Sequence, residues 1–229
     1  MIKTPYRIGI GTLFFFQVLF SFSTYAQDYN RSTYNYKKVS MGIVLSPNIS
    51  WLRYGDYDVK SSGAKLGYNY GLVTDFAFSE NYYFSSGLLI ENLRAQSDTY
   101  QAQPDGSTGI WTNQYRLQYA QIPFGVKLKS TQRYDRSYYG QFGFTLGVKL
   151  SAKQEILNEN RAVIQEFTHM KGGADIFRLG LQIGGGVEWQ LDHNLRFMTG
   201  LTFNNGFTRA IKQGGANNSY IACNIGILF

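Results

Sequence analysis

Alternation of apolar and polar side chains, repeated along the chain, is the feature that most constrains its fold. In residues 39–51 every odd position is apolar, from Val39 to Trp51, and the positions between them are mainly Ser, Gly and Asn. A period of two places the two sets on opposite faces of a β-strand. The same period recurs in seven further segments: 64–78, 82–91, 119–128, 138–150, 177–190, 195–204 and 220–229. The sequence therefore predicts an all-β protein with eight strands.

The predicted connections alternate in length. Three are short, at residues 79–81, 129–137 and 191–194, and four are longer, at 53–62, 95–113, 151–174 and 207–216. Short periplasmic turns, long outer loops and an even strand number are typical of outer-membrane barrels, and a tilted spanning strand needs only about 9–11 residues. The predicted fold is an eight-stranded antiparallel up-and-down transmembrane β-barrel with both termini in the periplasm.

The first residues have the layout of a cleavable signal peptide. Lys3 and Arg7 provide positive charge, residues 8–22 are apolar, and Ala26 ends a short run of the kind cut by signal peptidase. We predict a signal peptide at 1–26, a short periplasmic segment at 27–37 and the barrel domain at 38–229. Elsewhere no apolar run reaches 18 residues, which excludes an α-helical membrane protein.

The two faces of the predicted strands differ in chemistry. Outward aromatic residues near the short turns predict a girdle at the membrane interface: Phe76, Phe78, Tyr82, Tyr138 and Trp189. The inward face carries charges of both signs: Lys65, Asp75, Glu91, Lys127, Lys149, Arg178, Glu188 and Arg196. An eight-stranded barrel has room only for side chains, and a buried unpaired ion is costly. We therefore predict a lumen charge network that fills the barrel and prevents conduction.

The sequence offers little for catalysis. His169 falls in a long loop and His193 in a short turn, on opposite predicted sides of the membrane, and the single cysteine, Cys223, has lipid-facing parity. There is no two-His metal spacing, phosphate-binding loop or paired-cysteine motif, so we predict no enzyme activity, metal or cofactor.

The formal net charge is +7, but the basic residues form no stripe, which argues against nucleic acid. One basic group near a turn, comprising Lys127, Lys129, Arg133 and Arg136, is interpreted as a solvated edge; contact with lipid phosphates or an acidic periplasmic partner is the alternative. The third long connection is predicted to hold a short helix around residues 156–167.

Several segments resemble a known family. Residues 175–189 and 195–201 are similar to the PorT-like or porin-like outer-membrane β-barrel family of Bacteroidetes-type bacteria, as are 119–124, 83–89 and 226–229. The resemblance spans residues 38–229. It implies outer-membrane lipids as surroundings and insertion by the barrel assembly machinery, with the terminal Phe229 as the assembly signal. The family includes a component of type IX secretion, from which residues 38–51 depart.

The leading interpretation is a small outer-membrane barrel that acts as a structural or interaction component of the cell envelope, with envelope or secretion-complex proteins as possible partners. The alternatives are an accessory of the type IX secretion machinery, a small-solute porin and a soluble periplasmic ligand-binding barrel. The last requires a polar exterior and an apolar interior, so the direction in which the apolar residues point discriminates it.

Overall fold

The computed structural model describes residues 38–54, 60–102, 108–158, 160, 162–170, 172–192, 194–211 and 215–229. The predicted signal peptide and the segment 27–37 lie outside these residues. Within the described ranges, no helix is long and apolar enough to cross a membrane.

Eight long strands form a closed antiparallel barrel, and a ninth, short strand extends it. The strands in the described part of the chain are β1 (Val39–Arg53), β2 (Lys60–Ser79), β3 (Tyr82–Ala102), β4 (Thr108–Lys129), β5 (Arg136–Leu157), β6 (Val163–His169), β7 (Phe177–Gln190), β8 (Arg196–Ile211) and β9 (Ala216–Leu228). Each strand pairs with the next in sequence, except that β5 pairs with both β6 and β7, and β9 pairs back with β1. The eight-stranded barrel fold is confirmed.

The first and last strands close the ring. Ile43 lies opposite Ile227, and the backbone of Met41 exchanges hydrogen bonds of 3.0 and 2.7 Å with that of Phe229. Every strand of the barrel is thus paired on both sides, which removes the exposed edges that an open sheet would present.

Glycines allow neighbouring strands to approach closely at a bend in the wall. Gly125 on β4 lies opposite Gly143 on β5, and a Cβ atom on Gly125 would come within 2.3 Å of the carbonyl oxygen of Phe142. A side chain at this position would push the two strands apart, so the glycine pair is a packing requirement of the closed wall.

The apolar residues of the alternating segments point outward. Leu66 and Ile183 have 69% and 56% of their surface exposed, whereas inward neighbours such as Asp75 and Arg178 are buried. The outward apolar positions of the eight alternating segments form a continuous belt, named here the apolar band. This arrangement is the reverse of a soluble ligand-binding barrel, and that alternative is excluded.

The barrel has two distinct ends. The turn end carries the β2–β3, β4–β5 and β7–β8 connections, together with Lys38 and Phe229; the loop end carries the other connections and β6. In the β4–β5 turn, Tyr134 and Asp135 have φ angles of 48° and 60°, and Arg133 and Arg136 pair across them. This is the two-residue hairpin whose twist matches that of the flanking strands.

Strands extend much further at the loop end than the sequence predicts. β4 and β5 each have 22 residues, about twice the 9–11 that cross a membrane, so most of the predicted loop at 95–113 is strand. The predicted helix around 156–167 is wrong. Residues 151–157 continue β5, and β6 folds back on it with Lys153 opposite His169. The residue types of β6, Val-Ile-Gln-Glu-Phe-Thr-His, favour a strand because β-branched and aromatic side chains suit the pleated surface.

Candidate functional site

The interior of the barrel is the best-defined site, and it is filled at three levels. Nearest the turn end is a group of five charged residues, named here the basal ion cluster: Asp75, Lys127, Lys129, Glu188 and Arg196. Above it lies the arginine layer: Glu91, Gln121, Arg178, Asn204 and Tyr220. Towards the loop end the lumen is closed by the apolar plug: Leu52, Leu93, Ala95, Tyr115, Leu117, Tyr119, Ala152, Ile211 and Ala216.

Lys127 is the centre of the basal ion cluster. Its Nζ lies 2.8 Å from Asp75 Oδ2 on β2 and 2.7 Å from Glu188 Oε1 on β7. Lys129 Nζ contacts the same two oxygens at 3.3 and 3.0 Å. Arg196 on β8 reaches Glu188 Oε2 at 2.8 Å. The cluster therefore links four strands across the lumen.

Neighbouring side chains complete the coordination of these charges. Ser85 Oγ donates a 2.8 Å hydrogen bond to Asp75 Oδ1, and Arg196 donates to Ser40 Oγ. Lys127 and Lys129 also lie over the rings of Tyr139 and Tyr83, at 4.4 and 4.2 Å from the centroids. Such ring contacts stabilise a desolvated cation. Three cations face two carboxylates here, so the rings offset part of the excess positive charge.

The imbalance of charge predicts different effects for the two lysines. In a Lys127→Met variant, two buried carboxylates lose their shortest contacts, and the free energy of unfolding should fall by about 3 kcal/mol. In Lys129→Met, two cations still face two carboxylates, and the change should stay within about 1 kcal/mol. Urea unfolding in lipid vesicles, followed by tryptophan fluorescence, measures both. Equal losses in the two variants would contradict the assigned roles.

The arginine layer is organised around one buried guanidinium. Arg178 Nη1 lies 3.3 Å from Glu91 Oε2 and donates to Gln121 Oε1 at 3.0 Å, while Nη2 donates to Asn204 Oδ1 at 2.7 Å. The hydroxyl of Tyr220 donates to the second oxygen of Glu91. Glu91 and Arg178 come from opposite walls, β3 and β7, so this layer also braces the barrel across its width.

The apolar plug is a feature that sequence reasoning missed. Leu93, Leu117 and Ile211 are each at most 1% exposed and point inward above the arginine layer. Burial also raises the pKa of Tyr115, which lies beyond the apolar band, so its hydroxyl stays protonated at neutral pH. These side chains leave the loop end of the lumen dry and packed.

A small cavity remains between the basal ion cluster and the arginine layer. Its volume is about 60 Å³, and its lining includes Asp75, Lys127, Tyr139, Tyr220 and Asn224. A water molecule needs roughly 10–15 Å³ in such measures. The cavity therefore has room for a few waters between two layers of fixed side chains, and it does not form a path for solutes.

The structure brings together six of the eight inward charges named from the sequence. Asp75, Lys127, Glu188 and Arg196 meet in the basal ion cluster, and Glu91 and Arg178 meet in the arginine layer. Two lie outside both groups. Lys65 is half-buried, and Lys149 donates a 2.5 Å hydrogen bond to the carbonyl of Ala174.

Lys129 was assigned to a solvated edge, and this interpretation is wrong. Lys127 and Lys129 are buried, with exposures of 2% and 7%, whereas Arg133 and Arg136 are exposed in the turn. β4 continues through Lys129, so residues 127 and 129 share the inward face. That parity was the available signal, and placing the turn two residues too early concealed it.

The girdle residues lie on the outward face. Near the turn end Phe76 contacts Phe84, Phe78 contacts Tyr82, and Trp189 contacts Phe197, with ring centroids 6.5, 6.0 and 5.8 Å apart; Tyr138 is exposed. Offset ring pairs of this kind stabilise neighbouring strands.

The residues considered for catalysis lie apart from the lumen. Cys223 is exposed and His169 is exposed on β6; His193 lies outside the described residues. In the part of the chain that the structure describes, no group of three His, Cys, Asp or Glu could hold a metal ion.

A closed barrel with an apolar belt outside and buried charges inside defines a protein that spans a membrane with β-strands. The chain belongs to the outer membrane protein beta-barrel domain family, whose model matches residues 25–211. It is therefore a small eight-stranded barrel of the outer membrane.

No curated protein matches this chain. Among solved structures it is similar to Neisserial surface protein A, with 10% identity over 84% of this chain and 96% of that one and a TM-score of 0.46. It is also similar to OprG of Pseudomonas aeruginosa, with 9% identity over 83% and 93% of the two chains and a TM-score of 0.37. A third similar structure is the outer membrane protease OmpT of Escherichia coli, with 7% identity over 87% and 99% and a TM-score of 0.42.

Proposed function

We propose that this protein is a non-conducting, non-enzymatic barrel that acts as a structural or interaction component of the outer membrane. The observation that carries the proposal is the filled lumen, in which the basal ion cluster, the arginine layer and the apolar plug succeed one another along the barrel axis. A small-solute porin requires an open path, and the buried Arg178 and Leu117 stand in it.

The filled lumen predicts an absence of conductance. Purified protein in planar bilayers should give no stable single-channel currents, and liposomes containing it should not swell in sugar solutions. A general porin reconstituted in parallel provides the positive control. Large, stable currents from the folded protein would overturn the proposal.

The proposed orientation places the loop end outside the cell and both termini in the periplasm. It is supported by the distribution of connections, since short turns face the periplasm and long connections face outward in bacterial barrels. An epitope inserted between β3 and β4 should bind antibody on intact cells, and one fused after residue 229 only after permeabilisation. The reverse pattern would refute this orientation.

The interaction surface in this proposal is the part of β3, β4, β5 and β6 that projects beyond the apolar band. Elements on a rigid scaffold above the membrane commonly carry recognition. Purification in mild detergent through the β3–β4 epitope should recover a stoichiometric envelope protein. Shortening this projection while leaving the barrel intact should abolish that recovery.

A role as an accessory of type IX secretion is the second candidate. It is supported by the resemblance of residues 119–124 and 175–189 to PorT-like barrels. In that case the protein recovered through the epitope would be a component of the secretion machinery, and deletion of this barrel would stop cargo export. Normal export in the deletion strain would exclude this candidate.

Phe229 is proposed as the signal for the barrel assembly machinery. Its side chain is 49% exposed at the turn end, where its backbone pairs with Met41. Phe229→Ala should lower the inserted, heat-modifiable fraction in cells several-fold while leaving refolding into detergent nearly unchanged. Phe203→Ala, an outward phenylalanine on β8, is the matched control and should leave insertion unchanged. Equal insertion of both variants would remove the assigned role.

A further inference from the structure

A row of basic side chains crosses four adjacent strands at the loop end. Arg94 on β3 lies directly opposite Arg116 on β4, Arg116 lies opposite Lys153 on β5, and Lys153 lies opposite His169 on β6. These four residues are named here the basic row. Strands in a sheet lie about 4.8 Å apart, so the row is roughly 15 Å long.

The basic row faces outward, away from the lumen. Arg94, Arg116 and His169 are exposed and Lys153 is half-buried, whereas the sequence neighbours Leu93, Leu117 and Ala152 are buried in the apolar plug. Side chains of directly opposed residues in antiparallel strands lie on the same face. The four groups therefore form one continuous surface feature.

Two of the four residues are held in place. The hydroxyl of Ser50 donates to the carbonyl oxygen of Arg94 at 2.6 Å and accepts from its backbone N–H at 3.1 Å. The guanidinium of Arg116 lies 3.7 Å from the centroid of the Phe167 ring. A guanidinium stacked on a ring keeps its N–H donors free to point sideways.

Like charges directly opposite one another destabilise a sheet, and the row lacks anionic partners of its own. The ion pairs between described residues all lie inside the barrel. Along the strands, the nearest outward carboxylates beyond the row are Glu155, two residues from Lys153, and Asp98, four residues from Arg94, which accepts a hydrogen bond from Thr112. An external anion would relieve the repulsion.

The height of the row matches a lipid headgroup. The apolar band ends at Ile90, Ala120 and Leu150, and a row of neutral side chains follows, in which Gln118 donates to Asn92 at 3.2 Å. The basic row is two outward positions above the band on β3 and β4, about 9 Å for strands tilted by about 45°. Because headgroups occupy roughly 5–7 Å beyond the hydrocarbon, long arginine side chains reach their phosphates.

We propose that the basic row binds the phosphate groups of membrane lipids in the leaflet that the loop end faces. Arginine recognises phosphate oxygens with two parallel hydrogen bonds, and lysine adds a mobile point charge. The inference rests on the proposed orientation for one detail: with the loop end outward, the lipid is the phosphorylated glycolipid of the outer leaflet.

Native mass spectrometry of the full mature protein in detergent micelles tests the site without reference to orientation. Diphosphoryl lipid A is the probe, and fully dephosphorylated lipid A and inorganic phosphate are the comparison ligands. The test variant combines Arg94→Gln, Arg116→Gln and Lys153→Gln. The matched control removes the same charge from exposed turn-end residues through Lys38→Gln, Arg133→Gln and Arg136→Gln. The gel shift between heated and unheated samples shows that each variant is folded.

The wild type and the turn-end variant should retain diphosphoryl lipid A equally, and the test variant should retain it about tenfold more weakly or worse. Dephosphorylated lipid A should bind all three proteins equally and weakly, and millimolar inorganic phosphate should not displace the lipid. Unchanged retention by the test variant, or equal losses in both variants, would overturn the proposal. Displacement by inorganic phosphate would overturn the assignment to a lipid. Because the assay lacks a membrane, its failure would leave the test on intact cells unaffected.

Discussion

Replacing Arg178 with Met is expected to lower the free energy of unfolding by about 3–5 kcal/mol, because one partner of a buried ion pair is removed. The side chain of Arg178 is 2% exposed, and that of Glu91, 3.3 Å away, is fully buried. Without the guanidinium, the Glu91 carboxylate would keep only its hydrogen bond from Tyr220 as a strong contact. Gln121 and Asn204 would also lose the donor that they share.

A second substitution separates the buried charge from the lost packing. Adding Glu91→Gln to Arg178→Met removes the unpaired carboxylate, so more than half of the lost stability should return. The matched control is Arg133→Met in an exposed turn, which should change stability by no more than about 0.5 kcal/mol. Denaturant unfolding in lipid vesicles gives all three values. A loss below about 1 kcal/mol for Arg178→Met would show that the arginine layer does not brace the barrel.

Placing an arginine at the centre of the apolar band should also destabilise the protein strongly. Ile183 lies midway along the outward face of β7 and is 56% exposed, which would make it a tolerant surface position in a water-soluble protein. In a bilayer the same position meets hydrocarbon, and Ile183→Arg should cost about 2–4 kcal/mol.

Phe177→Arg is the matched comparison, since Phe177 is an outward residue at the loop end of the same strand and should cost only about 0–1 kcal/mol. The difference between the two variants is a measure of depth in the bilayer. It should appear when the proteins unfold from lipid vesicles. Equal costs for the two positions would mean that the apolar band does not lie across the hydrocarbon core.

The sequence predicted the barrel well wherever lipid lies outside and polar side chains lie inside. Residues 39–51 and 138–150 keep one phase of alternation throughout, and both are strands in the structure. A lipid-facing strand must be apolar at every second position, so its pattern is legible without any knowledge of its neighbours.

Prediction failed where the surroundings of a strand change along its length. On β4, Ile122 points outward and Gln121 inward within the apolar band, whereas Arg116 points outward and Leu117 inward beyond it. The period of two continues, but the apolar face switches from outside to inside because water replaces lipid around the barrel. A reading that followed the apolar face therefore ended the strand near Tyr119 and missed both the projecting hairpins and the apolar plug.

The sequence alone determined the number of strands, the face on which each segment is apolar and the sign of the charges directed inward, because these depend on the alternation within one strand. Only the tertiary structure decided which charges meet. Asp75 and Lys127 are 52 residues apart yet form a 2.8 Å pair, whereas Lys65 belongs to neither charged group. Contacts across the lumen depend on the height of each residue along the barrel axis, and that height is set by the stagger of all eight strands when the ring closes.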